Sequence, residues 1–310
     1  MTNPRVLFAG TPEFALASFK SLVASGVVPV AVLTQPDRPA GRGKQLTASP
    51  VKQFAMTEGI LVLQPPTLKD KIIVEALAAL EPDIMIVAAY GLLLPQDVLD
   101  IPARGCLNVH ASILPRWRGA SPIQAAILGG DKTSGISLMA MTAGLDTGAV
   151  YASEAIDIGA DETAGELHDR LAVLGGKLLA NKLAAILANE LQAVEQDESK
   201  ASYAGKIATD DAAMNWRLSA DELCREVRAY NPAPGAWFMI GNERVKCWRA
   251  SCVGASNETS GTVMSADRDG IVVACNSGAL AMQELQRPGK GRVSAREFAA
   301  QSKIHGTVLG

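Results

Sequence analysis

The sequence is sparing with residues that mark several protein classes, and each shortage excludes something. Aromatic residues make up only 5% of its 310 positions, and histidine appears three times. Five cysteines (Cys106, Cys224, Cys247, Cys252 and Cys275) form no CxxC pair and no Cys/His group at zinc spacing, so neither a disulfide framework nor a metal site is expected. All five read as reduced, structural thiols, with Cys106 set apart by its position two residues before Asn108. No apolar run approaches the roughly 18 residues that cross a bilayer. Met1-Thr-Asn-Pro-Arg5 leads into a strand instead of a signal peptide, so the expectation is a cytoplasmic location. The first strand-to-helix turn, Gly10-Thr-Pro-Glu13, lacks the second glycine that lets a backbone approach pyrophosphate, which argues against a nicotinamide cofactor. A net charge of -3 is wrong for a uniformly basic nucleic-acid binder, although the charges are unevenly spread.

What is present is a large apolar complement, 48% of the chain, enough for a full core divided between two domains. Arg5-Val-Leu-Phe-Ala-Gly10 reads as a buried strand, residues 12–24 as an amphipathic helix, and residues 28–34 as a second strand. That order opens an α/β domain with a doubly wound, mostly parallel sheet, whose sites lie beyond the strand C-termini. Asp83-Ile-Met-Ile-Val-Ala-Ala-Tyr-Gly91 is a further buried parallel strand, and its end, Tyr90-Gly91-Leu92, should open into the same crevice. Residues 189–204 lose apolar density and gain charge, so they read as a linker between domains at 1–188 and 205–310.

The chain beyond Gly205 changes character. Short β-rich runs at 236–240, 244–250, 261–264, 270–275 and 279–285 are separated by Gly, Asn, Asp and Ser, which suggests a small C-terminal β-barrel of the OB-like kind. Its one clear helix is 219–229, with Ser219 and Glu222 spaced as a capping box. This domain carries a net +2 against -5 for the rest, and much of the excess falls in a Gly/Pro-rich turn holding Arg287, Lys290 and Arg292. A second basic element is the long loop after the second strand, Gln35-Pro-Asp-Arg-Pro-Ala-Gly-Arg-Gly-Lys44. Three prolines and two glycines between residues 35 and 50 mark it as irregular. Arg38, Arg42, Lys44 and Lys52 outnumber Asp37 there, which suits either a solvated loop or an arm for a polyanion.

The chemistry concentrates in Gly105-Cys-Leu-Asn-Val-His-Ala-Ser-Ile-Leu-Pro-Arg-Trp-Arg-Gly119. Its first half reads as a strand, in which side chains two apart share a face, so Asn108 and His110 point the same way. Gly144-Leu-Asp-Thr-Gly148 offers a carboxylate, Asp146, on a turn that can reach them. His168 reads as a helix-surface residue and His305 as part of a loose tail. A hydrolase triad is the rival reading, but Ser112 stands in no GxSxG elbow. An amide, an imidazole and a carboxylate without a nucleophile suit direct acyl transfer to an amine. The imidazole takes the amine's proton, the amide donates to the developing oxyanion, and the carboxylate orients the ring.

These same residues carry a resemblance. Asn108-Val-His110, Ser112-Ile-Leu-Pro115 with Arg116-Trp-Arg-Gly119, and Gly-Leu-Asp146-Thr-Gly resemble the 10-formyltetrahydrofolate-dependent formyltransferases, and the likeness covers nearly the whole chain, including Asn231-Pro. The loop at 34–44 and Ser49-Pro-Val-Lys52 are similar to those of members acting on methionyl initiator tRNA. The resemblance implies a Rossmann-like formyltransferase domain with Asn108, His110 and Asp146 as the catalytic trio and 10-formyltetrahydrofolate as formyl donor. It implies a folate pocket lined by Ser112, Ile113, Leu114, Pro115, Tyr90, Gly91 and Leu92. It also implies tRNA contacts from the basic loop (Arg38, Arg42, Lys44, Lys52), to which charge adds Lys290 and Arg292 in the barrel. Formyl transfer to a small amine, a nucleotide intermediate or an amino sugar, is the alternative, and would not need the basic loop. A tRNA-binding module that merely senses folate is the reading from another class. No long exposed apolar helix face demands a partner, so a monomer is expected.

Overall fold

The computed structural model describes residues 4–40, 43 and 45–309, in two compact units. The first runs through Pro122 and includes Thr133–Asp157 and His168–Ala204; the second holds Ile123–Lys132, Ile158–Leu167 and the chain from Gly205 on. Compactness therefore divides the chain differently from composition. Residues 189–204, which read as a linker, belong to the first unit, and two short excursions from the N-terminal half belong to the second.

In chain order the first unit has β1 (Val6–Gly10), β2 (Ala31–Leu33), β3 (Arg38–Ala40), β4 (Gln45–Thr47), β5 (Val62–Leu63), β6 (Ile84–Ala88), β7 (Cys106–His110), β8 (Arg118–Gly119), β9 (Thr133–Ala140), β10 (Val150–Asp157) and β11 (Tyr203–Ala204). One seven-stranded sheet has the order β10-β9-β7-β6-β1-β2-β5. β5, β2, β1, β6 and β7 run parallel, and β9 and β10 add to the β7 edge antiparallel. β1 and β6 are buried along their whole length, as their unbroken apolar runs dictate. The helix Glu13–Ala24 lays Phe14, Phe19 and Leu22 on the sheet, where Phe19 stacks on Phe8 at 4.9 Å and meets Phe54 edge-on at 5.0 Å. The strand order steps outward in both directions from the β1/β6 pair, where Gly10 registers with Ala88. Chain leaving the ends of these two strands turns opposite ways, which opens a crevice beside the end of β7.

The loop after β2 is more regular than its prolines and glycines suggest. β3 and β4 pair antiparallel, Arg38 with Thr47 and Ala40 with Gln45. A two-stranded ribbon leaves one edge of each strand unpaired, and Pro39 is tolerated because its missing N–H is not needed there.

The second unit is built on β12 (Ala236–Ile240), β13 (Glu243–Val253), β14 (Val263–Asp267), β15 (Gly270–Ala274), β16 (Ala279–Gln286) and β17 (Arg292–Ser294), all paired antiparallel. The order is β12-β13-β16-β15-β14, with β17 also on β16. Phe238, Val245, Val273, Leu280 and Leu285 fill its core together with Leu223 and Val227 of the helix Ala220–Ala229. Among the described residues β12 and β14 do not pair, so the barrel stays open along that seam. The predicted capping box of Ser219 and Glu222 is present. A second helix, Ala295–Ala300, carries another such box, from Ser294 to Glu297. It was not expected, because six residues are too few to show helical periodicity. The C-terminal segment is not a loose tail: Ile304 and Leu309 are buried, and Thr262 bridges to Val308.

Glu226, on the helix Ala220–Ala229, keeps Oε2 buried with no hydrogen-bond partner among the described residues. Burial, reinforced by Glu222, pushes its carboxyl up to about 7 from the ordinary 4.5. A carboxyl raised in the folded state contributes stability that is full below its unfolded value and is lost as pH rises through the folded one. Glu226→Gln is therefore expected to stabilise the protein at about pH 8, on the order of 1 kcal/mol, and to change little at about pH 5. Urea unfolding at both pH values measures the difference; an equal effect at both would contradict this account.

Candidate active site

β7 delivers Asn108 and His110 to the crevice, held by β6 on one side (Val87 beside Asn108) and β9 on the other (Ser137 beside His110). His110 is 6% exposed. Its Nε2 lies 3.1 Å from the carbonyl oxygen of Trp117. A carbonyl only accepts, so Nε2 donates, and the neutral ring carries its lone pair on Nδ1. Nδ1 faces Asp146 Oδ2 at 3.7 Å, too long for a hydrogen bond but within ion-pair range once the ring is protonated. The Trp117 carbonyl therefore fixes the tautomer, and the Asp146 carboxylate makes no direct hydrogen bond to the ring. Asn108 is half-buried, and its carboxamide has no hydrogen-bond partner among the described residues. An unspent amide donor and an unspent imidazole lone pair thus stand two residues apart on one strand.

Asp146 sits in the left-handed region, φ +52°, and its Oδ2 accepts from the Gly119 N–H at 2.7 Å. The residues between these points form a self-bonded loop. Ser112 is buried; its hydroxyl donates to the Arg116 carbonyl at 2.6 Å, and its carbonyl accepts from Ser137 Oγ at 2.7 Å. Leu114 N–H donates to Ser137 Oγ at 3.1 Å, and the Leu114–Pro115 bond is cis. The Ser112 hydroxyl therefore holds the loop in shape.

Tyr90–Leu92 follow the end of β6, beside β7, as the sequence indicated. The Tyr90 ring, however, lies in the apolar core with Leu7, Met85 and Leu94, and its hydroxyl is buried without a partner among the described residues. Burial pushes that phenol up to about 12. The Tyr90 carbonyl accepts from Thr11 Oγ1 at 2.9 Å, and Gly91 takes φ +86°, so this corner is shaped by backbone. Cys106, the thiol nearest in sequence, is buried beside Asp100, and burial first, then that charge, raise it to about 12. It is no nucleophile.

In the basic loop, Lys52 is tied to Asp37 at 2.7 Å, and Gln64 bonds the other Asp37 oxygen at 2.8 Å. Lys52, then Gln64, hold the Asp37 carboxyl below its usual range. Arg38 donates to Gln35 Oε1 at 2.8 Å. These two cations brace the root of the loop; Arg42 and Lys44 lie outside the described residues. In the second unit, Arg292 stacks over Trp248 at 3.9 Å and reaches Glu284 at 3.3 Å, whereas the ammonium of Lys290 has no partner among the described residues.

Sequence reasoning missed what lies beneath the site. Arg118, which entered the sequence reading only as part of the Arg116-Trp-Arg-Gly119 motif, is completely buried. It donates to Gln196 Oε1 at 3.1 and 2.9 Å and to both oxygens of Glu198 at 2.9 and 2.7 Å. Residues 194–204 form a strap rather than a linker: Val194 bridges to Val150, Ser202 bonds the backbone of Pro115, Trp117 and Arg118, and β11 pairs parallel with β8. Its partners lie about 80 positions away, so no local pattern announces them.

Comparison with known proteins gives a consistent answer. The Formyl transferase family pattern matches residues 4–183, and the pattern of the formyl transferase C-terminal domain matches residues 206–303. A methionyl-tRNA formyltransferase of Thiobacillus denitrificans is 50% identical over 309 residues, covering 99% of each chain. Among solved structures, the sugar 3N-formyl transferase WlaRD, crystallised with dTDP and 5-N-formyl-THF, superposes with a TM-score of 0.67 at 18% identity, covering 94% of this chain and 100% of that one. HypX of Aquifex aeolicus, in complex with tetrahydrofolic acid, gives 0.66 at 15% identity over 98% of this chain and 49% of that chain. At such identities the two structures show the fold alone. The chain belongs to the formyl transferase family, among the methionyl-tRNA formyltransferases.

Proposed function

We propose that the protein transfers a formyl group from 10-formyltetrahydrofolate to the α-amino group of methionyl initiator tRNA. The observation that carries the chemistry is the pinned imidazole, its Nδ1 without a hydrogen bond and two residues along the strand from an Asn108 amide that has no partner among the described residues. His110 Nδ1 takes the proton that the attacking amine sheds. The Asn108 NH2 donates to the oxygen on which charge develops, and Asp146 stabilises the imidazolium at 3.7 Å. The corner at Gly91 and Leu92, after the strand that pairs with β7, and the loop from Ser112 to Pro115, which follows β7, are the segments assigned to the folate in this reading. Each unit supplies cations for phosphates: Arg42, Lys44 and the braced Arg38 and Lys52 in one, Lys290 and Arg292 in the other.

The test supplies 10-formyltetrahydrofolate with methionyl initiator tRNA, or with a nucleotide-linked amino sugar, and follows the formylated product. Formyl-methionine on the tRNA is expected, and turnover of the sugar alone would favour the small-amine reading. Affinity for tRNA should fall at least about tenfold between roughly 50 and 200 mM salt, since each displaced counterion adds to the slope. A flat salt response would remove the phosphate contacts from this account.

A further inference from the structure

The turn bearing Asp146 is held from below by a side chain with no place in the chemistry. Gln196 Nε2 donates to the carbonyl oxygens of Asp146 at 2.8 Å and Gly148 at 2.7 Å, using both its hydrogens to straddle Thr147. Its Oε1 takes the two bonds from Arg118. The amide can sit only this way round, because a guanidinium solely donates and a carbonyl solely accepts. Glu198 closes the fork from the other side.

We propose that Gln196, backed by Arg118 and Glu198, is a positioning residue that sets Asp146 against His110. Three consecutive residues make the case. The Trp117 carbonyl fixes the His110 ring, the Arg118 guanidinium fixes Gln196, and the Gly119 N–H fixes the Asp146 carboxylate. Gln196 then links the backbone of Asp146 to the segment that already holds its side chain and its partner histidine. A non-glycine residue in the left-handed region is strained and persists only where its surroundings over-determine it, and Gln196 supplies that determination. The 3.7 Å gap between Nδ1 and Oδ2 is thereby set by a residue some 50 positions away from Asp146. The ring and the carboxylate bear on charge that appears during reaction, so a shift of the turn reaches the chemical step while substrate affinity stays intact.

This inference rests on the reading that Asp146 serves His110, and the experiment separates the two. Gln196→Met keeps the volume and removes all four bonds. It is expected to lower kcat about 10- to 100-fold while KM for both substrates stays within about threefold and folate binding stays stoichiometric. Combined with Asp146→Asn it should add almost nothing further, because both changes remove the same interaction. Glu198→Gln, on a largely exposed side chain that keeps an acceptor for Arg118, should lower kcat by about two- to fivefold. Full kcat in Gln196→Met, a raised KM at unchanged kcat, or losses that multiply with Asp146→Asn would each overturn the positioning role. Full kcat in Asp146→Asn would instead overturn the proposed chemistry itself.

Discussion

His110→Ala lowers kcat by about 10²- to 10⁴-fold, the span that a positioned base contributes, and leaves KM for the folate nearly unchanged. The two ring nitrogens have different tasks. Nε2 is committed to the Trp117 carbonyl, so a substitution at 110 could act merely by releasing that loop. His110→Gln separates the effects: its amide N–H can still reach the carbonyl, but it offers no basic nitrogen. Equal losses in both variants assign the effect to proton transfer. A glutamine variant with near-normal kcat would show that His110 is structural and would sink the proposed mechanism. Asn108→Ala should follow with about a 10²- to 10³-fold loss, typical of a missing oxyanion donor. Steady-state kinetics with both substrates measures all three.

The second large effect is expected at Gly119, which no catalytic argument from sequence singled out. Its φ is +113°, and a Cβ there would lie 2.5 Å from the carbonyl oxygen of Ala204. Backbone cannot yield like the end of a side chain, so Gly119→Ala must part β8 from β11 or rotate the Gly119 N–H away from Asp146. The conformation alone costs about 1–3 kcal/mol. A displacement of about an ångström at a reacting group costs on the order of 10²-fold in rate. Gly119→Ala is thus expected to lose both stability and about two orders of magnitude in kcat. Gly205→Ala, with nothing within 4 Å of the added methyl, serves as the neutral control. Wild-type kcat in Gly119→Ala would mean that β8 does not govern the carboxylate.

The central sheet was legible because burial on both faces leaves an unmistakable mark: Val6–Gly10 and Ile84–Ala88 are apolar throughout. The shared face of Asn108 and His110 followed from the period of a strand, and the capping box at Ser219 from its spacing. What stayed hidden is held by single long-range hydrogen bonds. Arg118 carries no local mark of burial in the sequence, yet its guanidinium is completely buried against Gln196 and Glu198. Nothing in Val194-Glu-Gln-Asp-Glu198 distinguishes a strap from a solvated connector, because polar side chains that bond inward have the composition of those that bond to water. Tyr90 misled in the opposite sense. Its place after a buried strand put it near the crevice, but the ring turned into the core. The tautomer of His110 lay beyond sequence altogether, since it depends on a carbonyl seven residues on.

That tautomer has a consequence for proton traffic. A ring whose Nε2–H is held by a carbonyl cannot pass a proton across itself, taking it at one nitrogen and releasing it at the other. On the proposed chemistry, the proton accepted at Nδ1 must also depart from Nδ1. The incoming amine and the nitrogen that the formyl group leaves must then both come within reach of a single atom. His110 would act as base toward the first and acid toward the second, without water carrying the proton between them. Transfer confined to one atom ties acceptance and release into one local event, and gives the enzyme a reason to hold both substrates at once.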